Sequence, residues 1–330
     1  MLLAVNYHYV SVEPRTGAAI FPVTTQDFGA QLDELGRTFE FVSRSDLLAA
    51  VGGGVSLPER ACLITFDDGL RQQVELALPL LEERGIPAIF FVCGEPLDHP
   101  RVLFVHKVHQ LRDCMTDAEL REALADELAE EGIDPASISP ELAAATYRYD
   151  TPEAAALKYL LNVVLGPSRP EPIDRMFSER FSEAELAEEL YVSREHVVQL
   201  EAVDALGAHA YTHRPLAVLE PNAARDDLER GAGVLESITG RRPRAISYPY
   251  GVAAAVNATV AAAAGESGYA FGVTMERAFN TTLDQPLLLA RLDANDAPGG
   301  RSPLFSVNGD GIVVRDGMTA GRSRYLEEVA

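Results

Sequence analysis

The chain has 330 residues, enough to bury a sizeable core, and its 47% hydrophobic content with a mean hydropathy of −0.01 marks it as globular. A formal net charge of −22 disfavours nucleic acid, whose phosphates need a basic face, and it disfavours an anionic membrane surface. The plain reading is a well-solvated acidic exterior, with attraction of cationic substrates or suitability for high salt as the alternatives.

The first residues, Met1-Leu2-Leu3-Ala4-Val5-Asn6-Tyr7-His8-Tyr9, lack a charged leader, a long apolar stretch and a cleavage site. A full-length chain of this kind is expected to work in the cytoplasm. No apolar run approaches the roughly eighteen residues that a membrane span requires. Cys62, Cys93 and Cys114 cannot all pair within the chain, and buried reduced thiols are expected.

In chain order, Leu2–Tyr7 reads as a buried strand. Thr25 is expected to cap a helix with a Phe28, Leu32 and Leu35 stripe, and residues 39–42 and 45–51 read as a short strand and a short helix ending at Gly52-Gly53-Gly54. Ala61–Phe66 is the next strand, followed by a helix over 70–84 that Pro79 is expected to kink, and a strand over 87–92. From 95 to 198 the strand patterns vanish. Helical stretches over 116–131, Pro140–Thr146, 152–165 and Glu183–Leu190 are joined by proline-rich connections, which predicts a helical insertion. His106 and His109 are spaced to share a helix face within it.

Beyond a helix over 193–206, strands over 244–248, 269–273 and 287–292 alternate with helices over 222–239 and 253–264. Such alternation predicts a parallel sheet. Residues 305–316 suggest a hairpin around Asn308-Gly309-Asp310-Gly311, with an acidic tail behind it. The resulting division is a discontinuous α/β domain, 1–94 and 199–297, an insertion, 95–198, and a C-terminal hairpin and tail, 298–330.

Two places carry chemistry. The strand Cys62-Leu63-Ile64-Thr65-Phe66 ends in Asp67-Asp68-Gly69, and adjacent carboxylates repel unless a cation or a proton neutralises them. Alternatively, Asp67 caps the following helix and Asp68 faces water. The stretch Gly207-Ala208-His209-Ala210-Tyr211-Thr212-His213 also follows an apolar segment. Histidines four apart on a helical turn are about 5–6 Å apart at Cβ and can share an ion. An aspartate with two histidines is the composition of a catalytic zinc site or of a facial-triad metal site, and it leaves one carboxylate free to act as a base.

Thr65-Phe66-Asp67-Asp68-Gly69 followed by His209-x-x-x-His213 and Ser247-Tyr248-Pro249-Tyr250-Gly251 resembles the polysaccharide deacetylases, the NodB-homology group or carbohydrate esterase family four. The resemblance covers about the first hundred residues and those from about 200 to 292. It implies a distorted (β/α) barrel and a hydrolase that removes an acyl group, acetyl first, from an amino sugar or a glycosylated metabolite. It also implies a divalent metal, zinc first, with cobalt or nickel as alternatives, held by Asp68, His209 and His213. Asp67 becomes the general base, the Tyr250 backbone N–H an oxyanion donor, and Pro249, Gly251 and Arg291 substrate-binding residues. The partner is then a saccharide or glycosylated small molecule, with no nucleic acid and no membrane span; the oligomeric state is open.

Two departures stand out. Where relatives carry an arginine that pairs with the base, this chain has Ser247, which leaves Arg291 or Arg244 to replace it. Relatives also have a late Leu-x-His histidine that protonates the leaving amine, whereas no histidine follows His213. His8 is the first substitute, then His106 or His109, then a protonated Asp293. The alternative functions are hydrolysis of another non-peptide C–N bond and saccharide binding with little turnover.

Overall fold

Short, continuously apolar segments are what a sheet buried on both faces demands. In the computed structural model, which describes residues 1–15, 20–308, 311–315 and 318, they form one parallel sheet. Its strands are β1 (Leu2–Tyr7), β4 (Glu40–Phe41), β5 (Ala61–Phe66), β6 (Ala88–Val92), β7 (Leu206–Ala208), β8 (Ala245–Ser247), β9 (Phe271–Val273) and β10 (Leu292–Asp293). A small parallel pair, β2 (Val10–Ser11) and β3 (Val23–Thr24), stands apart from it. The order is β10-β1-β5-β6-β7-β8-β9, with β4 beside the start of β5. Leu289 bridges to Val273 and Leu292 pairs with Val5, so one segment spans from the last strand to the first. The fold is the expected distorted (β/α) barrel.

Register decides where chemistry collects. Tyr7 lies beside Phe66, Phe66 beside Phe90, and Val92 beside Ala208, so the ends of β1, β5, β6 and β7 lie together. The residues that follow, His8, Asp67 and His209, therefore share the rim where parallel α/β sheets place their sites. Beneath the rim Phe66 stacks on Phe90 at 4.6 Å, and Tyr7 and Phe28 pack against Phe66.

The helices differ from expectation in instructive ways. Thr24, one residue before the expected cap, accepts the Asp27 N–H. Pro79, the expected site of a kink, stands in the first turn of the helix Leu78–Arg84, directly after a π-helical segment, Gln73–Ala77. Proline has no N–H to return to the carbonyl four residues back, and the wider turn accommodates that loss. Leu206 ends up in β7, the helix before it being Arg194–Ala202. Of 287–292, Pro286–Leu288 is a 3-10 turn and only Leu292 joins a strand. The hairpin strands, β11 (Phe305–Asn308) and β12 (Gly311–Val314), are antiparallel; the Gly309-Asp310 turn and the acidic tail lie outside the described residues.

The chain forms two compact units. One comprises Met1–Pro14, Pro22–His99 and Glu188–Ala330 and holds the sheet. The other, Arg15–Phe21 with Pro100–Ala187, is helical among the described residues. The expected helix over 116–131 is divided at Leu124 into Asp117–Ala123 and Ala125–Glu130. Within this unit the buried Lys107 ammonium is neutralised by Asp174 and Glu183, each at 2.8 Å. No helix among the described residues is long and apolar enough to cross a membrane.

Gly207, in β7, has no room for a side chain: a Cβ would lie 2.4 Å from Cδ1 of Phe91 and 2.9 Å from Cγ2 of Ile89. Gly207→Ala is expected to destabilise the protein by about 1–3 kcal/mol through overpacking. Urea denaturation checks this; an unchanged midpoint would show that the core yields without cost.

Candidate active site

The tip of β5 turns sharply. Asp68 and Gly69 both adopt left-handed backbone, φ +77° and +65°, and a Cβ on Gly69 would lie 2.9 Å from Cγ1 of Val92. The turn points the two carboxylates apart and buries both. Asp67 meets Arg291 in a two-pronged ion pair, with Nη1 to Oδ1 at 2.8 Å and Nη2 to Oδ2 at 2.7 Å, and Asn6 Nδ2 adds a bond to Oδ2 at 3.1 Å. Burial alone would raise the Asp67 pKa, but the Arg291 and His209 charges more than offset it and hold the carboxyl below the usual range.

Arg291 is 0% exposed, and its donors are committed to Asp67, Ser247 Oγ, Thr65 Oγ1, Asn6 Oδ1 and the Thr274 carbonyl. Every N–H of the guanidinium thus has a partner within the chain, which speaks against the expected direct contact with substrate. Arg291 reaches Asp67 from beside β10, and Ser247 Oγ accepts a bond from the same guanidinium. Arg244, the other candidate, is exposed just before β8, at the opposite end from Ser247.

The histidines lie on a loop, not on a helical turn as their spacing suggested. β7 stops at Ala208, the chain reverses at Ala210 (φ +57°), and His213, also at φ +57°, folds back so that the two rings are 5.0 Å apart. His209 Nδ1 is 2.6 Å from the Ser247 carbonyl oxygen, which accepts its proton and leaves Nε2 as the lone-pair nitrogen. His209 Nε2 and His213 Nε2 approach the same atom, Asp68 Oδ1, at 3.4 and 3.2 Å. One ligand atom from each of Asp68, His209 and His213 lies within 4.8 Å of the others, all three residues buried. The residues fit a divalent cation: two imidazole nitrogens and a carboxylate oxygen converge, with one imidazole already fixed in its tautomer.

The third motif frames the cluster. Tyr250 and Gly251 follow β8 in consecutive left-handed conformations, φ +62° and +60°, and a Cβ on Gly251 would lie 2.8 Å from the Met275 nitrogen. The Tyr250 ring is 5.1 Å from that of His213, and Pro249 is buried beneath. His8, half-buried after β1, is close enough for its charge to act on Asp67. Asp293 is occupied as a cap, its Oδ1 accepting both the backbone and the side-chain N–H of Asn295 at 2.8 Å. His106 and His109 lie on the helix Phe104–Cys114 of the other unit, with ring centres 5.8 Å apart.

Sequence reading missed Asn6 and Gln73. Gln73 is fully buried, and its amide donates to the carbonyls of both His8 (2.9 Å) and Asp67 (2.6 Å), pinning the ends of β1 and β5 to each other. A glutamine within a helix gives no hint of this; the π-helical segment that it opens is visible only in the fold.

The sequence profile of polysaccharide deacetylases matches residues 54–145 and 193–272. The chain belongs to the polysaccharide deacetylase family. It is thus a hydrolase of the class acting on carbon–nitrogen bonds other than peptide bonds. No curated protein matches the sequence. Among solved structures, the deacetylase is similar to IcaB from Ammonifex degensii, with TM-score 0.55 and 19% identity over 88% of this chain and 90% of that one. A de-N-acetylase from Aggregatibacter actinomycetemcomitans gives TM-score 0.55 and 17% identity, covering 89% and 95%. The Streptococcus pyogenes deacetylase PplD, in complex with acetate, gives 0.54 and 14%, covering 88% and 91%. At these identities the likeness is one of fold.

Burial would lower the pKa of His209, but Asp67 and Asp68 favour its charged form and leave it raised. A raised pKa means that the ring keeps its proton to higher pH, so a cation must displace it. Affinity for zinc or cobalt should therefore fall as pH is lowered through that pKa, with net proton release on binding. Calorimetry in buffers of different ionisation enthalpy measures both; pH-independent affinity without proton release would contradict the cluster as the site.

Proposed function

We propose that the chain is a metal-dependent deacetylase that hydrolyses the N-acetyl group of an amino sugar, with Asp68, His209 and His213 holding the metal. The single observation carrying this reading is the convergence of both Nε2 atoms on Asp68 Oδ1, next to the buried Asp67–Arg291 pair. A divalent cation held there, zinc first, supplies Lewis acidity to the amide carbonyl and lowers the pKa of an adjacent water toward about 7. Asp67 takes the proton from the attacking water; Arg291 and Asn6 keep it ionised and aimed. The backbone N–H of Tyr250 supports the oxygen that gains charge as the carbonyl becomes tetrahedral, in a loop that Pro249 and Gly251 shape. As the C–N bond breaks, the amine nitrogen takes a proton from His8, and acetate leaves. Acetate is also the molecule bound in the streptococcal neighbour.

Ser247 and the absent late histidine favour the alternative of a saccharide binder with little turnover. Arg291 weakens it, because the base has a partner after all.

Asp67→Asn should keep metal content and lower kcat by about 10²–10⁴-fold, the range for removing a general base. Elemental analysis alongside acetate release from N-acetylated oligosaccharides checks this, and a variant working at the parent rate would rule Asp67 out. Arg291→Met should shift the acid limb of the pH–rate profile upward, because removing the guanidinium leaves burial to raise the Asp67 pKa. An unmoved limb would show that Arg291 does not set it.

A further inference from the structure

The loop that carries both histidines is held from outside the cluster. After the left-handed Ala210, two successive backbone amides turn to the same side, and both donate to one oxygen, Oδ1 of Asp227: Tyr211 N at 2.8 Å and Thr212 N at 3.3 Å. Oδ2 of the same carboxylate accepts the Thr212 hydroxyl. Asp227 belongs to the helix Pro221–Thr239 and is 8% exposed. That helix presses against the loop at Gly231, where a Cβ would lie 2.5 Å from the Ala210 carbonyl. From the other side, the Gly94 and Glu95 amides donate to the Ala210 and Tyr211 carbonyls at 3.1 and 3.0 Å, and Cys93 Sγ lies 3.2 Å from the His209 carbonyl oxygen.

Successive amides turned to one side form a concavity that binds anions, and here the chain's own carboxylate fills it. A left-handed alanine has no local reason to stay so, because its Cβ crowds the following carbonyl. The two amide bonds to the Asp227 carboxylate are made in that conformation, and the shorter of them, at 2.8 Å, has the length of a charge-assisted bond.

We propose that Asp227 is a positioning residue of the metal site: seated on the Tyr211 and Thr212 amides, it fixes the reversal at Ala210 and so sets His213 beside His209 and Asp68. The inference rests on the metal-dependent reading above and extends it to a residue that touches neither metal nor substrate.

The test is cobalt titration of the parent, Asp68→Ala, Asp227→Ala, Asp227→Asn and Thr212→Val, below each protein's melting temperature, following the visible absorption of the bound ion. Asp227→Ala is expected to weaken binding by about 10- to 100-fold, as loss of an outer partner of a ligand does, and to alter the absorption bands. Asp227→Asn keeps Oδ1 for both amides and should lie within about tenfold of the parent, the worth of roughly one hydrogen bond. A residue that only supports its helix would lower the melting temperature and leave affinity and spectrum unchanged. Parent-like cobalt binding by Asp227→Ala therefore overturns the proposal, as does equal damage from Asn and Ala. If Asp227→Ala does not fold, Thr212→Val carries the test: affinity weaker by about threefold or more supports the clamp, and parent affinity overturns it. Asp68→Ala separates the two levels. If it binds cobalt like the parent, the metal reading fails and this inference with it; if it loses cobalt while Asp227→Ala does not, only this inference fails.

Discussion

Two adjacent carboxylates buried at the end of one strand are the constraint on which the rest of the site depends. Neither Asp67 nor Asp68 can stay charged away from water without a cation of its own. The chain answers for Asp67 with Arg291, fully buried and bound through both terminal nitrogens, and turns Asp68 toward two imidazoles. The turn between them is what separates the roles. Had Asp68 kept an extended conformation, it would have continued the strand instead of facing the histidines. Gly69 completes the turn because Val92 leaves no space for a side chain.

Backbone held away from its preferred conformations recurs around this centre. Asp68, Ala210, His213 and Tyr250 are all left-handed. Each such non-glycine residue costs on the order of 1 kcal/mol or more, less for aspartate and histidine, which visit this region more readily. The surrounding structure offsets that cost: Gln73 ties the carbonyls of His8 and Asp67, Asp227 holds the amides after Ala210, and the Gly251 carbonyl accepts the Met275 N–H at 2.8 Å. Each of these partners comes from a different segment, so the site is a property of the closed sheet and of no single motif.

That distribution explains what could be read from the sequence. The parallel sheet was visible because its strands are short apolar runs separated by helical periods, and the family because three short motifs occur in one order. Closure into a barrel came from the resemblance alone; nothing in the pattern of residues 287–292 announces that Leu289 and Leu292 bond to opposite neighbours. The histidine spacing suggested a helical turn because periodicity carries no information about a left-handed residue between the two. Arg291 was visible only as one of two arginines near strands, since which strand end it shares is set by pairing across the sheet. Asn6, Gln73 and Asp227 gave no signal: a polar residue ending a strand, or one within a helix, looks the same whether it faces water or a neighbouring carbonyl.

The central claim is that this chain hydrolyses the amide of an N-acetylated amino sugar and needs a divalent cation in the Asp68, His209 and His213 cluster to do so. The most direct measurement is acetate release from a panel of N-acetylated amino-sugar oligosaccharides by chelator-stripped protein, before and after one equivalent of zinc is restored. The account predicts no release from the stripped protein and turnover on at least one substrate once zinc is returned. Release that persists at the same rate after stripping, or zinc bound at the cluster with no acetate from any member of the panel, would contradict it.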